Sequence, residues 1–425
     1  MHGGGRCPFL FPFLGDPGHA GGFKPAGRFS PVMPGPLEGV VVIDLTRLLP
    51  GPFATQLLVN LGADVVKVED PGAGDYMRGV PPTTQGISYP FLMVNRGKKS
   101  IAVDLKTPEG QEILHKLAAR ADILVEQFRP GVMESFHGDY ATLSRMNPRL
   151  VYCSFSGYGQ TGPSKGVPGH DITFEAHAGI LGVTADRGGR PVIPGVPIAD
   201  LASAFNAAFA ILAALRTRDR TGRGEFVDVS IFDTAVGLMV LNLAHFLATR
   251  EEPAAGETIL TGRFPFYDLY ETADGRWLAV AAVEPKFWRR LCELLGLPEL
   301  VDHQFGDGAT LERTTAALSG KFRERTLEEW ERVLSNEDLP VAPVKRVSEV
   351  ARDPHVRARE LFPVADIPGL WKTPVLGHPA KHSVSEVRTP ARVPSKGEDT
   401  DAILASLGYT AETIDALWRK GVIAR

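Results

Sequence analysis

Cysteine is scarce. Three in 425 residues, Cys7, Cys153 and Cys292, lie far apart with no CxxC or other metal-ligand spacing. That excludes a disulfide framework, gives no metal site, and suits a reducing cytoplasm with idle thiols. Basic excess is also missing: the net charge is −4, with 23% charged and 44% hydrophobic residues. Nothing in that balance would neutralise phosphates, so nucleic acid is not an expected partner. No uninterrupted apolar run approaches the roughly 18 residues that span a bilayer, so no membrane partner is expected. The N-terminal FLFPFLG is short, broken by Pro12, and followed by no small-residue cleavage site. Residues 1–35 therefore read as a Gly/Pro-rich, poorly ordered leader, with Met33 an alternative start, and the chain as cytoplasmic.

What is present is an alternation of strands and helices. VVVIDLT (40–46) is a short β-branched run of the kind buried in parallel sheets. Pro50 and Pro52 can open the next helix and Gly62 can close it; DVVKVED (64–70) completes a βαβ unit. KSIAVDL (99–105), a helix started by Thr107 and Pro108, ILVEQF (123–128) and RLVYCSFS (149–156) continue the pattern. The fold class is α/β, with a mostly parallel, Rossmann-like sheet covered by helices.

A long helix follows through ADLASAFNAAFAILAALRTR, then FVDVSIF and an apolar helix over about 232–249. After the polar break EEPAAGET the pattern changes. FYDLYET and RWLAVAAVE, joined by ADG, predict a β-hairpin. Helices are predicted at 285–296 and 326–335, the second with Thr326 and Glu329 at capping-box spacing. The domains read as 36–232, a linker helix 233–249, a small α+β domain 250–345, and 346–425.

Four features bear on chemistry, and each has a plain alternative. GYGQTG (157–162) matches GxGxxG after a strand, but Pro163, Gly166, Pro168 and Gly169 prevent a helix from following at once. A loop shaping a site fits better than a pyrophosphate cradle. His170, in PGHDITF, is either an acid–base group or a residue bonded to nearby backbone. Asp171 reads as a carboxylate satisfying local N–H groups in its turn. Asp200 stands where PVIPGVPIA gives way to the long helix. It is either a cap, or a reactive carboxylate beside free N–H groups that form an oxyanion hole. Glu284, before Pro285, is at least a helix-start glutamate.

LEGVVVIDLTRLLPGPFATQLLVNLGADVVKVEDPGAGD, NRGKKSIAVDLKTPEG, ADILVEQFRPGVME, RLVYCSFSGYGQTGP, the LAALRTRDRTGRGEFVDVS region and GEDTDAILASLGY together resemble the class III CoA-transferase family (CaiB–BaiF type). The resemblance runs in order from about residue 37 to the C-terminus. It implies a large domain built from both chain ends, a small domain from the middle, and an interlocked homodimer. It also implies acyl-CoA thioester substrates, with no cofactor beyond the coenzyme A of the substrate.

By the same resemblance Leu49, Pro50, Val103, Asp104, Leu105, Lys106, Gln127, Phe128, Arg129, Gly169 and Asp171 fall along the CoA. Asp70 stands where several relatives carry a phosphate-binding arginine, so Lys67, Arg96 or Lys98 is expected to supply that charge. Asp200 matches the transferase nucleophile, which forms acyl–aspartyl and aspartyl–CoA intermediates. GHDITF, thirty residues before it, looks like the GHDINY of the α-methylacyl-CoA racemase branch. The racemase reading comes first: His170 and Asp200 move protons on opposite faces of an enolate, with Glu284 setting the His170 tautomer. A CoA-transferase with Asp200 as nucleophile is the alternative. TGRFP (261–265) replaces the branch's DGGAP, placing Arg263 and Phe264 in the acyl pocket region. Arg263 either binds a second carboxylate or is a solvated loop residue.

Overall fold

The computed structural model describes residues 33–425 apart from 187, 188 and 371. Most of the expected leader therefore lies outside the described residues. From Met33, whose amide donates to the Val384 carbonyl at 3.0 Å, the chain is tied to the C-terminal segment.

Strands β1 (Val41–Asp44), β2 (Asp64–Glu69), β3 (Lys99–Val103), β4 (Ile123–Glu126), β5 (Val151–Ser156) and β6 (Phe226–Ser230) are parallel and lie in the order β3-β2-β1-β4-β5-β6. This is the Rossmann order, and its direction reverses between β1 and β4. Three more strands, β7 (Tyr267–Glu271), β8 (Trp277–Ala281) and β9 (Val341–Pro343), make a separate antiparallel sheet in the order β9-β8-β7. The predicted hairpin is β7–β8; β9 was not anticipated because its three residues carry little signal. The last strand, β10 (Ile423–Ala424), returns to pair antiparallel with β3, so both chain ends build the large sheet.

The helices used below are α1 (Pro50–Asn60), α2 (Tyr89–Asn95), α3 (Pro108–Arg120), α4 (Asp171–His177), α5 (Ile198–Thr221), α6 (Ile231–Leu238), α7 (Val240–Thr249) and α8 (Pro285–Leu295). One core holds α1, α5 and one sheet face, through Leu57, Leu58, Val125, Phe155, Ala207 and Ile211. The other face packs on α3 and the C-terminal helices through Ile113, Leu114, Leu117, Leu404 and Leu417. The small sheet has its own core around Phe266, Trp288 and Phe322. Although α5 is long and apolar enough to cross a membrane, its small residues Ala199, Ala204, Ala207 and Ala208 are buried against α1 and the sheet. The single helix expected over 232–249 is two, α6 and α7, bent by 61°. Met239 forms the break, and α7 buries none of its residues.

Candidate active site

Two features converge where β1 ends. Leu48 takes a left-handed φ of 64°, and Leu49 then opens α1, with Pro50 at its first turn. The bend is held from beneath by two ion pairs whose side chains are wholly buried. Lys67 lies 2.8 Å from Asp75, and Lys98 lies 2.9 Å from Asp44. Lys67 also donates to the Thr46 carbonyl at 2.8 Å, and Asp75 accepts the Leu48 amide at 3.0 Å. Burial alone would raise the Asp44 carboxyl, but Lys98 and Lys67 hold it at about 2. Burial likewise brings Lys98 down to about 8 against the pull of Asp44.

This corrects the expectation that Lys67, Arg96 or Lys98 faces a phosphate. Both lysines are consumed by internal carboxylates. Arg96 is buried, its guanidinium donating to the carbonyls of Met93 and Leu376. Asp70 is committed too, accepting the amides of Gly72 and Ala73 at 2.9 and 3.0 Å. The cation that sequence reading missed is Arg47. Its guanidinium lies 5.2 Å from the Phe128 ring and 5.7 Å from that of Tyr76, with no carboxylate partner among the described residues. Arg47 follows β1 at the point where the strand order reverses, and that position was the available signal.

Arg47, Asp70, Val103, Asp104, Leu105, Lys106 and Phe128 line one cleft. Five of the eleven CoA positions expected from sequence, Val103, Asp104, Leu105, Lys106 and Phe128, are thus neighbours. Across the reversal point, a Cβ on Gly51 would stand 2.3 Å from Thr46 Cβ and 2.5 Å from Gln127 Oε1. That contact requires glycine. Gln127 Oε1 is buried without a hydrogen-bond partner among the described residues, while Arg129 is exposed. Glu126 shapes this turn, accepting the Phe128 amide at 2.8 Å, and burial raises its carboxyl to about 7.

The PGHDITF stretch begins a helix. His170 is its exposed N-cap, and the Thr173 hydroxyl accepts the His170 amide at 3.0 Å. Glycine is needed here for packing: Cβ atoms on Gly157 and Gly169 would fall 2.8 and 2.5 Å from the Phe174 ring. GYGQTG therefore wraps an aromatic side chain, as a loop that shapes a site.

Helix α5 starts at Ile198, so Asp200 is in its first turn rather than at its cap. Asp171 reaches beyond its own turn, accepting the Asp200 amide at 3.0 Å. Glu175, buried one turn further along α4, accepts the Ile198 amide at 3.2 Å. Those amides are therefore engaged, which corrects the expectation of free N–H groups forming an oxyanion hole. The reason is spacing: residues four apart on α4 present two carboxylates to one helix start. Burial, then the charges of Asp171 and Glu175, push Asp200 up to about 7. Sequence reading missed Glu175; its place four residues after Asp171 was the signal.

The small-domain candidates stand apart in the single chain. Glu284 is the exposed N-cap of α8, and its carbonyl accepts the amides of Phe287 and Trp288. No hydrogen bond or ion pair joins it to His170 among the described residues. Phe264 stacks on Phe266 at 5.2 Å, and Arg263 lies 5.3 Å from the Phe264 ring without a carboxylate partner among the described residues.

The family model described as CoA-transferase family III matches residues 37–400. The chain belongs to that family. It is 35% identical over 398 residues to the human succinyl-CoA:glutarate CoA-transferase, covering 91% of this chain and 90% of the relative. It is 34% identical over 383 residues to human alpha-methylacyl-CoA racemase, covering 89% and 95%. A CAIB/BAIF family protein from Brucella suis superposes with a TM-score of 0.77 at 31% identity, over 88% of this chain and all of that one. The fold, the membership and the enzyme class agree with the sequence expectations. The racemase branch is not singled out.

Proposed function

We propose that this family III enzyme moves coenzyme A between carboxylic acids, with Asp200 as nucleophile and a dicarboxylic acyl group as substrate. The observation that carries the reading is the burial of Asp200 beside Asp171 and Glu175, which holds its carboxyl at about 7. A raised carboxylate is a better nucleophile, and acylation removes its charge and relieves the repulsion. The Asp200 carboxylate attacks the thioester carbonyl and expels the CoA thiolate, leaving an acyl–aspartyl anhydride. The thiolate then attacks the Asp200 carbonyl, releasing the donor acid and leaving aspartyl–CoA. An acceptor carboxylate repeats the two steps in reverse order, with no net proton change. The cleft around Arg47 and Phe128 supports CoA binding, and Arg263 supports recognition of a second carboxylate, a group that both succinyl-CoA and glutarate, named for the similar human transferase, would carry.

A homodimer belongs to the same proposal. Helix α7 leaves Val240, Leu241 and Leu247 more than 60% exposed, an apolar face of the kind a partner covers.

The test is incubation with succinyl-CoA and glutarate, followed by chromatography and by mass spectrometry of the Asp200 peptide after hydroxylamine trapping. Glutaryl-CoA and a modified Asp200 are expected, with Asp200→Asn at least about a thousandfold slower. A second reading, racemisation of 2-methylacyl-CoA, is favoured by the exposed His170 imidazole and an acid, Asp200, poised near neutrality. Deuterium entering the α-carbon from heavy water, with loss of stereochemistry and no CoA transfer, would replace the first reading with this one.

A further inference from the structure

Glu175 is the least expected group near Asp200. Its side chain is 0% exposed, although glutamate is among the residues least often buried without a partner. One oxygen accepts the Ile198 amide at 3.2 Å. The other, Oε2, meets neither solvent nor any hydrogen-bond donor among the described residues. A bare carboxylate oxygen so placed would be costly. Asp171, four residues earlier on α4, lies on the same helix face, and its carboxyl is the group that Glu175 reaches. Two carboxyl groups in contact are stable when one keeps its proton and donates it to the other.

We propose that Glu175 is a positioning residue whose carboxylic acid donates a hydrogen bond to Asp171, so holding the start of α5 and Asp200 in their reactive setting. The inference rests on the proposed role of Asp200. Donation through Oε2 leaves Oε1 for the Ile198 amide, and it leaves Asp171 a charged acceptor for the Asp200 amide. Burial and the neighbouring Asp171 raise the Glu175 carboxyl, in keeping with this state. Other groups lie on the packed elements. His170 and His177 lie at the ends of α4, the latter bonded to Tyr158; Arg216, Arg218, Asp219 and Arg220 are at the far end of α5; Asp233 is on α6, Asp228 is in β6, and α1 has no charged residue.

The experiment compares Glu175→Gln and Glu175→Leu in the full chain, by thermal unfolding and by rate across pH. Glutamine keeps both a donor and an acceptor; leucine keeps neither. The folded-state carboxyl is raised, so the wild type loses stability as pH climbs above the ordinary carboxylate range, where the unfolded chain releases its proton first. The melting temperature of Glu175→Gln relative to wild type should therefore rise with pH. Its rate should lack the alkaline fall caused by ionisation of Glu175, whereas Glu175→Leu should run about tenfold or more below Glu175→Gln at every pH. A melting difference independent of pH, or equal losses in both variants, would overturn the proposal. The thermal result is indifferent to the reaction catalysed, so it also separates failure of this inference from failure of the proposed function.

Discussion

Asp200 shows how much chemistry one residue takes from its neighbours. A free aspartate is ionised throughout the neutral range, but here burial and the neighbouring carboxyl groups of Asp171 and Glu175 hold the group at about 7. As the proposed nucleophile it must be ionised. The rate with saturating CoA donor should accordingly climb through about pH 7 on its acid limb, before the alkaline fall expected from Glu175, and an initial-rate profile from pH 5 to 9 would show both limbs. The residue was legible in the sequence, because a carboxylate at the start of a long apolar helix after a proline-rich segment stands out. Its environment was not. Glu175 reads as an ordinary polar position in a short helix, and only the crossing of α4 with α5 puts it beside Asp200. Gly51 makes the converse case. Nothing in PGPFATQ marks that glycine as tightly enclosed, yet a methyl group there would overlap Thr46. Gly51→Ala should lower stability by about 1–3 kcal/mol and weaken CoA binding, as thermal unfolding and CoA titration would report.

The loop from β1 to α1 shows how an element is shaped from below. Its hydrophobic pattern announced a strand, a helix and the turn between them. The buried Asp44–Lys98 and Lys67–Asp75 pairs were hidden, because charged residues in a strand read as surface or ligand-facing. Breaking one partner leaves an uncompensated buried charge, so Lys98→Met should cost about 3–5 kcal/mol in chemical denaturation. Asp44 adds a pH signature. A carboxyl held at about 2 contributes stability that is fully present above its unfolded value near 4 and is lost as pH falls towards 2. The melting gap between wild type and Asp44→Asn should therefore narrow as pH drops from 4 to 2.

At the scale of the whole molecule, the separate core of the small sheet and the bare face of α7 bear on the proposed dimer. Replacing Leu241 and Leu247 together by glutamate should shift the chain towards monomers in light scattering after size exclusion. The alternation of strands and helices revealed the large sheet, but its edge was less visible, since the pair Ile423–Ala424 is too short for any periodicity. That edge has a bearing on the order of folding. The Asp104 amide in the proposed CoA cleft donates to the carbonyl of Val422 at 2.8 Å, across more than three-quarters of the described chain. A contact of such sequence separation carries a loop-closure cost that local contacts do not. The β1–α1 unit can form from neighbours along the chain, whereas the proposed cleft is completed only when β10 docks on β3.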